Sequence, residues 1–358
     1  MQYPPAPACR LLWRVIDGQA VIWRYGRMKK KEPASADVAK LAGVSRSAVS
    51  RTFTPNAYVS AETRAKVMAA AEMLGYRPNA IARSLSKRRS GLVGVVCSDL
   101  NNPFYAKLLE LLSTALQQRG LGILLLVGDA SRMDELLERL LSYQVDGILL
   151  PASKLTSRLA VQLNQSGRPV VLVNHHLREG SVTTVGGDNY AGGVMVADLL
   201  VAKGFSRIAY VSGPQDTSSA VDRGRGVQDG LAKHGLALAA RASGEDRRDV
   251  TQQVMRQFMA MPNPPDAIFC ANDLMALAAM EVVQGEFGKA VPDDIGIVGY
   301  DNTALAESTL HALTSVDQNL PLMAAEAVRI LMDKIDGRPV DVSHIDITPQ
   351  LVLRSTTR

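Results

Sequence analysis

Arg46, Ser47, Ser50 and Arg51 fall within six residues of one another, and on a helix they would share its outward side. A guanidinium can pair with guanine through two parallel hydrogen bonds, and a serine hydroxyl can bond to a base edge or a phosphate. A second group of polar residues lies just past apolar runs: Asn102, Asn174, Asn272 and Asp301, with Arg223 and Gln318 further off. Amides and carboxylates at strand ends suit a polyhydroxylated ligand, which donates and accepts in pairs.

The first group needs a small helical frame, and the flanking residues supply it. Val38, Ala39, Leu41 and Ala42 recur at helical spacing. Gly43 supplies the positive φ that ends a helix and turns the chain. Ser45 is a good N-cap for a second helix, whose apolar face is Ala48, Val49 and Phe53. Two short helices joined by such a turn make a helix-turn-helix, which sets its second helix in the DNA major groove. A third helix, capped by Ser60, runs to about Leu74 and offers Ala65, Val67, Met68, Ala71 and Leu74 to the core. Past Pro78, Asn79 can cap a short helix that needs a packing partner to hold. Leu85 on that helix could wedge between base steps of a minor groove; the alternative is a solvated linker.

These segments resemble the headpiece of the LacI/GalR family of bacterial transcriptional repressors. The similarity is carried by Asp37 to Ser45, Ala48 to Arg51, Val59 to Arg64 and Gly75 to Asn79, in that order. It implies that Arg46, Ser47 and Arg51 read bases. It also implies that Ser45, Ser50 and Ser60 touch phosphates and that Leu85 intercalates. The implied partners are double-stranded operator DNA, a small-molecule effector and a second copy of the chain. No cofactor and no membrane are expected.

Charge follows the same division. Residues 28–90 hold 13 Lys/Arg against 4 Asp/Glu, residues 1–27 hold 4 against 1, and the whole chain is only +5, so the remainder is acidic. A basic head on an acidic body is the outline of a DNA-binding module joined to a domain with another task. Three cysteines, Cys9, Cys97 and Cys270, form no metal-ligand or disulfide pattern and fit a reducing cytoplasm. Residues 1–27 fit nothing downstream. They are expected to be a disordered or spurious extension, with Met28 as the physiological start.

From Leu92 the pattern becomes α/β. Apolar runs at Leu92–Cys97, Ile123–Val127, Gly147–Leu150, Val170–Asn174, Ile208–Ser212, Ala267–Cys270 and Ile295–Tyr300 read as strands. Amphipathic stretches between them read as helices. Continuous apolar strands separated by helices mean parallel sheets covered on both faces. The pattern restarts after Gly187, which gives two similar lobes.

The expected fold is therefore an all-α helix-turn-helix headpiece on a two-lobed α/β body. The resemblance extends to that body, which is similar to periplasmic sugar-binding proteins. Expected bounds are 1–33 for the extension, 34–78 for the headpiece, 79–91 for hinge helix and linker, and 92–358 for the body. Lobe 1 would hold about 92–186 and 319–343, and lobe 2 about 187–317 and 344–358. The three crossings are expected near Val185–Asp188, Val316–Asn319 and Val342–Ile345.

The resemblance maps effector contacts onto Ser98, Asn102, Phe104, Asn174, Arg223, Asn272, Asp301 and Gln318. Asp273 is expected to cap the helix beginning at Leu274. Two positions depart from the family. Asn174 stands where a lactose-type member has a carboxylate, and Asp246 stands where many members have a stacking aromatic. Other functions compete poorly. A solute receptor without a regulatory role would have no use for the headpiece. An enzyme on this scaffold would need a glycine-rich phosphate loop or a nucleophile elbow, and neither is present. His175 and His176 alone are too few for a metal.

Overall fold

The computed structural model describes residues 33–54, 57–77, 89–97, 100–128, 132–151, 163, 165–174, 182–215 and 217–357, with the backbone of 15–16 and 19–20. The expectations for Asn79, Leu85, Ser98, His175 and His176, and most of those for residues 1–27, lie outside these residues. Within the extension, β1 (Val15–Ile16) pairs antiparallel with β2 (Gln19–Ala20). The chain divides into two compact units between Arg83 and Ser84.

The first unit is built on α1 (Ser35–Ala42), α2 (Arg46–Thr52) and α3 (Ala61–Leu74). Asp37 accepts from the Ala34 amide at the start of α1, and Gly43 closes that helix at φ +65°. Ser45 and Ser60 cap the next two helices, accepting from Ala48 N and Thr63 N. The core is Val38, Ala39, Val49, Val67, Ala70 and Ala71, with Phe53, Leu74 and Tyr76 partly buried against it. Leu41, Ala65 and Met68, expected on inner faces, are exposed instead. Val67, Ala70, Ala71 and Leu74 already make a complete i, i+3, i+4, i+7 stripe on α3. Ala65 and Met68 fall outside that stripe, as Leu41 falls outside the Val38–Ala39–Ala42 stripe of α1.

The second unit holds two six-stranded sheets. In chain order its strands and helices are β3 (Leu92–Cys97), α4 (Pro103–Gln117), β4 (Gly122–Val127), α5 (Met133–Ser142), β5 (Gly147–Leu150), β6 (Val170–Val173) and β7 (Thr183–Gly187). Then follow α6 (Asn189–Ala202), β8 (Ile208–Ser212), α7 (Ser218–Lys233), β9 (Ala240–Ser243), α8 (Arg248–Met259), β10 (Ala267–Cys270) and α9 (Asp273–Gly285). The last are β11 (Gly296–Tyr300), α10 (Ala304–Glu307), β12 (Thr314–Asp317), α11 (Leu320–Ile335), β13 (His344–Ile347) and β14 (Gln350–Val352).

Lobe 1 has the order β13-β7-β6-β5-β3-β4 and is parallel throughout. Lobe 2 has the order β14-β12-β11-β10-β8-β9, with only β14 antiparallel. In each sheet the strand order reverses beside the first strand, β3 or β8. Crevices at such switch points open at the carboxyl ends of the strands, where ligands bind.

One boundary needs correction. Residues 344–358 were expected in lobe 2, with a crossing near Val342–Ile345. Instead β13 pairs with β7 of lobe 1, register His344 to Thr184, and only β14 joins lobe 2, beside β12. The crossing therefore falls between Ile347 and Gln350. His344 and Asp346 make β13 look like a polar loop; an edge strand has a partner on one side only and tolerates charge. Likewise β7, β9 and β12 had no clear apolar run to announce them.

The two lobes have separate cores. Lobe 2 buries Tyr210, Phe269 and Tyr300, with the first two rings stacked at 5.1 Å. Lobe 1 packs α4 and α11 on one face of its sheet, through Leu108, Leu112, Met323 and Val328, and α5 on the other, through Leu136 and Leu140. In lobe 2, α6 and α7 cross in near contact. A Cβ on Gly193 would lie 2.4 Å from the Arg223 carbonyl, and one on Gly226 would lie 2.1 Å from that of Tyr190. Glycine is required at both positions, and this close approach seats Arg223.

Candidate functional site

Two sites stand out, one in each unit. In the first unit, α2 buries Ala48, Val49 and Thr52 and leaves Arg46, Ser47, Ser50 and Arg51 exposed. The Ser45 hydroxyl is 2.9 Å from that of Ser47, so the helix start presents two adjacent hydroxyls. Arg64 reaches from α3 to donate to the Thr52 carbonyl at 3.0 Å, which fixes the end of α2. Ser60, also exposed, opens α3. A helix N-terminus with exposed hydroxyls and free amides is a ready phosphate contact, and the two arginines lie between those ends.

In the second unit, a cavity opens between the lobes. It brings together six of the eight residues expected there: Asn102, Phe104, Asn174, Arg223, Asn272 and Asp301. Each is held by local chemistry. Asn102 caps α4 by accepting from Phe104 N at 3.0 Å, and Phe104 packs edge-on against Tyr105. Asn174 follows β6 at φ +72°, and its Oδ1 is buried without a hydrogen-bond partner. Asn272 caps α9 by accepting from Met275 N, and its Nδ2 donates to Asp246 at 2.8 Å.

Arg223, on α7, is 5% exposed. Its Nε donates to Asn189 Oδ1 at 2.7 Å, Nη1 donates to the Ala271 carbonyl, and the guanidinium lies 3.6 Å over the Tyr300 ring. Two of its five N–H donors are therefore engaged within lobe 2. Asp301, at φ +107°, accepts from Gln318 Nε2 at 2.7 Å. Burial pushes its carboxyl well above the usual carboxylate range, with nearby Arg223 acting in the opposite direction. Gln318 is fully buried and stands behind Asp301, outside the cavity lining.

Asp273 does not cap α9; Asn272 does. The Asp273 carboxylate turns away and accepts from Thr303 N at 2.7 Å and from the Ser315 hydroxyl at 2.6 Å. The Ser315 oxygen in turn accepts from Asn302 N. Asp273 thus pins the loop that carries Asp301. Burial raises its carboxyl to about 6, despite these hydrogen bonds.

Sequence reasoning missed Tyr105, Asp246, Thr217 and Ser219 as lining residues. Ser219 was legible, since it lies four residues before Arg223 on the same helical face. Asp246 was noticed only as a residue unable to stack. Its φ of +54° aims it into the cavity, and no sequence pattern signals that. Among the described residues, no group of three or more His, Cys, Asp or Glu could hold a metal ion. Nor is any described helix long and apolar enough to cross a membrane.

Comparison with known proteins places these features. Residues 36–79 match the family described as bacterial regulatory proteins, lacI family, and residues 197–357 match a periplasmic binding protein-like domain. The HTH-type transcriptional regulator CelR of Thermobifida fusca is 34% identical, over 92% of this chain and 99% of that protein. The ribose operon repressor of Halalkalibacterium halodurans is 32% identical, over 90% of this chain and 96% of that one. Among solved structures, a lac repressor dimer bound to operator and an anti-inducer superposes with TM-score 0.84 at 28% identity, covering 91% of this chain and 99% of that one. A CelR–cellobiose complex gives 0.69 at 33% identity, covering 90% and 99%. With an exposed basic helix in one unit, a two-lobed cleft in the other and relatives matched along nearly their whole length, the chain belongs to the lacI family of bacterial regulatory proteins.

Proposed function

We propose that the chain is a sequence-specific DNA-binding transcriptional regulator, a repressor acting as a homodimer in the bacterial cytoplasm. A small sugar-like effector held between the lobes sets its affinity for operator DNA. The observation that carries this reading is α2, whose inner face is packed and whose outer face offers Arg46, Ser47, Ser50 and Arg51 to a groove. Arg46, Ser47 and Arg51 read bases, and Ser45, Ser50 and Ser60 contact phosphates. The headpiece is 34–78 and the connecting segment 79–91.

The effector site is the interlobe cavity. Asn174 offers a buried acceptor, Asp246 and Asp301 offer carboxyl groups, and Arg223 offers its remaining N–H donors. Hydroxyl groups match this mixture. An anion has less to gain, because Arg223 shares the lining with Asp246 and Asp301. A ligand that bridges the lobes favours one lobe arrangement over another, and that differential affinity is the means of control. The CelR and ribose-repressor relatives make cellobiose and D-ribose the first probes.

The test is to recover genomic fragments bound by the full-length chain and to measure their affinity with and without each sugar. Enrichment of fragments sharing a near-palindromic sequence, with an affinity that responds to a sugar, is the expected result. Equal retention of all fragments under every condition would remove the regulatory function.

A further inference from the structure

The connecting segment enters the body at Arg89, and what holds it there lies at the far end of an element that begins at the cleft. Arg89 Nη2 donates to the Ile335 carbonyl at 2.8 Å and to Asp336 Oδ1 at 3.1 Å. Ile335 is the last residue of α11. The next two residues are fixed separately: Asp146 accepts from Ser90 N at 2.6 Å, from the Ser90 hydroxyl at 3.0 Å and from Gly91 N at 2.8 Å.

The other end of α11 is tied to the wall of the cavity. Gln318 donates to Asp301 at 2.7 Å. Asp317 accepts from Asn319 N at 2.6 Å and from the Asn302 side chain at 3.0 Å. Asn319, at φ +53°, caps the helix by accepting from Leu322 N. Between these ends α11 is one uninterrupted helix of 16 residues, roughly 24 Å long at ~1.5 Å per residue. Met323, Ala327, Val328, Ile330 and Leu331 are fully buried, so the helix cannot bend without disturbing the lobe 1 core.

We propose that Arg89 and Asp336 are positioning residues that couple the cleft to the DNA-binding unit, with α11 as the rigid element between them. This rests on the body's role as controller of the headpiece. A change at the Asp301–Gln318 contact shifts the start of α11, and the helix carries that shift to the carbonyl and carboxylate that hold Arg89. The Arg89–Asp336 pair is more than half exposed on the arginine side, so the effect it transmits is small in magnitude.

A double-mutant cycle on the full-length chain tests this, read by hydrogen exchange of the peptide spanning residues 89–92. Gln318→Ala alone is expected to speed exchange there by about three- to fivefold. In an Asp336→Ala background the same change should add less than about twofold, and Arg89→Lys, which can still reach Asp336, should retain most of the response. Thermal melts of each variant confirm the fold. Equal Gln318→Ala effects in both backgrounds, or no effect in either, overturn the coupling. The readout needs neither DNA nor effector, so a chain that selected no DNA would end the regulatory reading and leave this result standing.

Discussion

The headpiece and the cleft achieve recognition in opposite ways. In the headpiece, the residues proposed to meet DNA lie between Ser45 and Ser60, exposed, on regular helices with ordinary caps. In the cleft, the lining residues run from Asn102 to Asp301 and arrive on many different elements. The backbone differs too. Of the positive-φ residues other than glycine, Asn174, Asp246, Asp301, Asn302 and Asn319 lie at the cleft or its crossover, and none lies in the described headpiece. A surface that meets a long polyanion needs only a rigid, charged face. A site that encloses a small neutral molecule must aim single polar groups inward, and strained backbone helps to aim them.

One arginine in each region should therefore respond differently to removal. Arg223→Ala removes two hydrogen bonds from a buried guanidinium and leaves Asn189 and Ala271 without their donor. It should cost about 3 kcal/mol of body stability and abolish sugar-induced stabilisation, as read by thermal unfolding. A body that melts as the wild type does would show that Arg223 is not integral to lobe 2.

Arg51→Ala should leave unfolding almost unchanged while weakening binding to a selected fragment by ~1–3 kcal/mol, with little effect on random DNA. Equal losses on both DNAs would make Arg51 a phosphate contact rather than a base reader.

The third test uses pH. The Asp273 carboxyl is raised to about 6, so the folded chain holds that proton more tightly than the unfolded chain. The stability it contributes is complete below the ordinary carboxylate value near ~4 and is lost as pH rises through about 6. Asp273→Asn can still accept from Thr303 N and donate to Ser315. Between pH 4 and 7 it should therefore remove a decline in stability of about 2 kcal/mol. Parallel pH profiles for the two proteins would contradict this. Glu62 in the headpiece is the opposite case, because its exposed carboxyl is lowered by Lys66.

The smallest effect compares two helix caps. Ser60→Ala should cost about 1 kcal/mol of headpiece stability and one phosphate contact, and leave sugar binding unchanged. Asn272→Ala loses a similar cap but also the bond to Asp246, so it should weaken sugar binding as well. An Asn272→Ala protein with unchanged sugar affinity would separate that cap from the cleft.

Legibility followed the same division. The caps at Ser45 and Ser60 and the stop at Gly43 were all readable, because each depends on neighbours within four residues. The apolar strands of both lobes were readable for a similar reason: a strand buried on both faces must be apolar throughout. Leu41, Ala65 and Met68 were misassigned because composition does not say how much of a helix a small core covers. The third crossing was misplaced because β13 is half polar, and its place beside β7 depends on residues some 160 positions earlier. Asp273 was read as a cap because an Asp at a helix start usually is one; its true partners, Thr303 and Ser315, are remote in sequence.

By itself the sequence determined the local units: where helices start and stop, which strands are buried, and where positive charge collects. Those follow from short-range hydrogen bonding and from the period of apolar residues. Only the tertiary structure decided which polar groups share a cavity, that Arg223 bonds to Asn189 and Ala271, and that α11 runs from the cleft to the carbonyl that holds Arg89. Such facts depend on which distant segments pack together, and no interaction within a few residues encodes that.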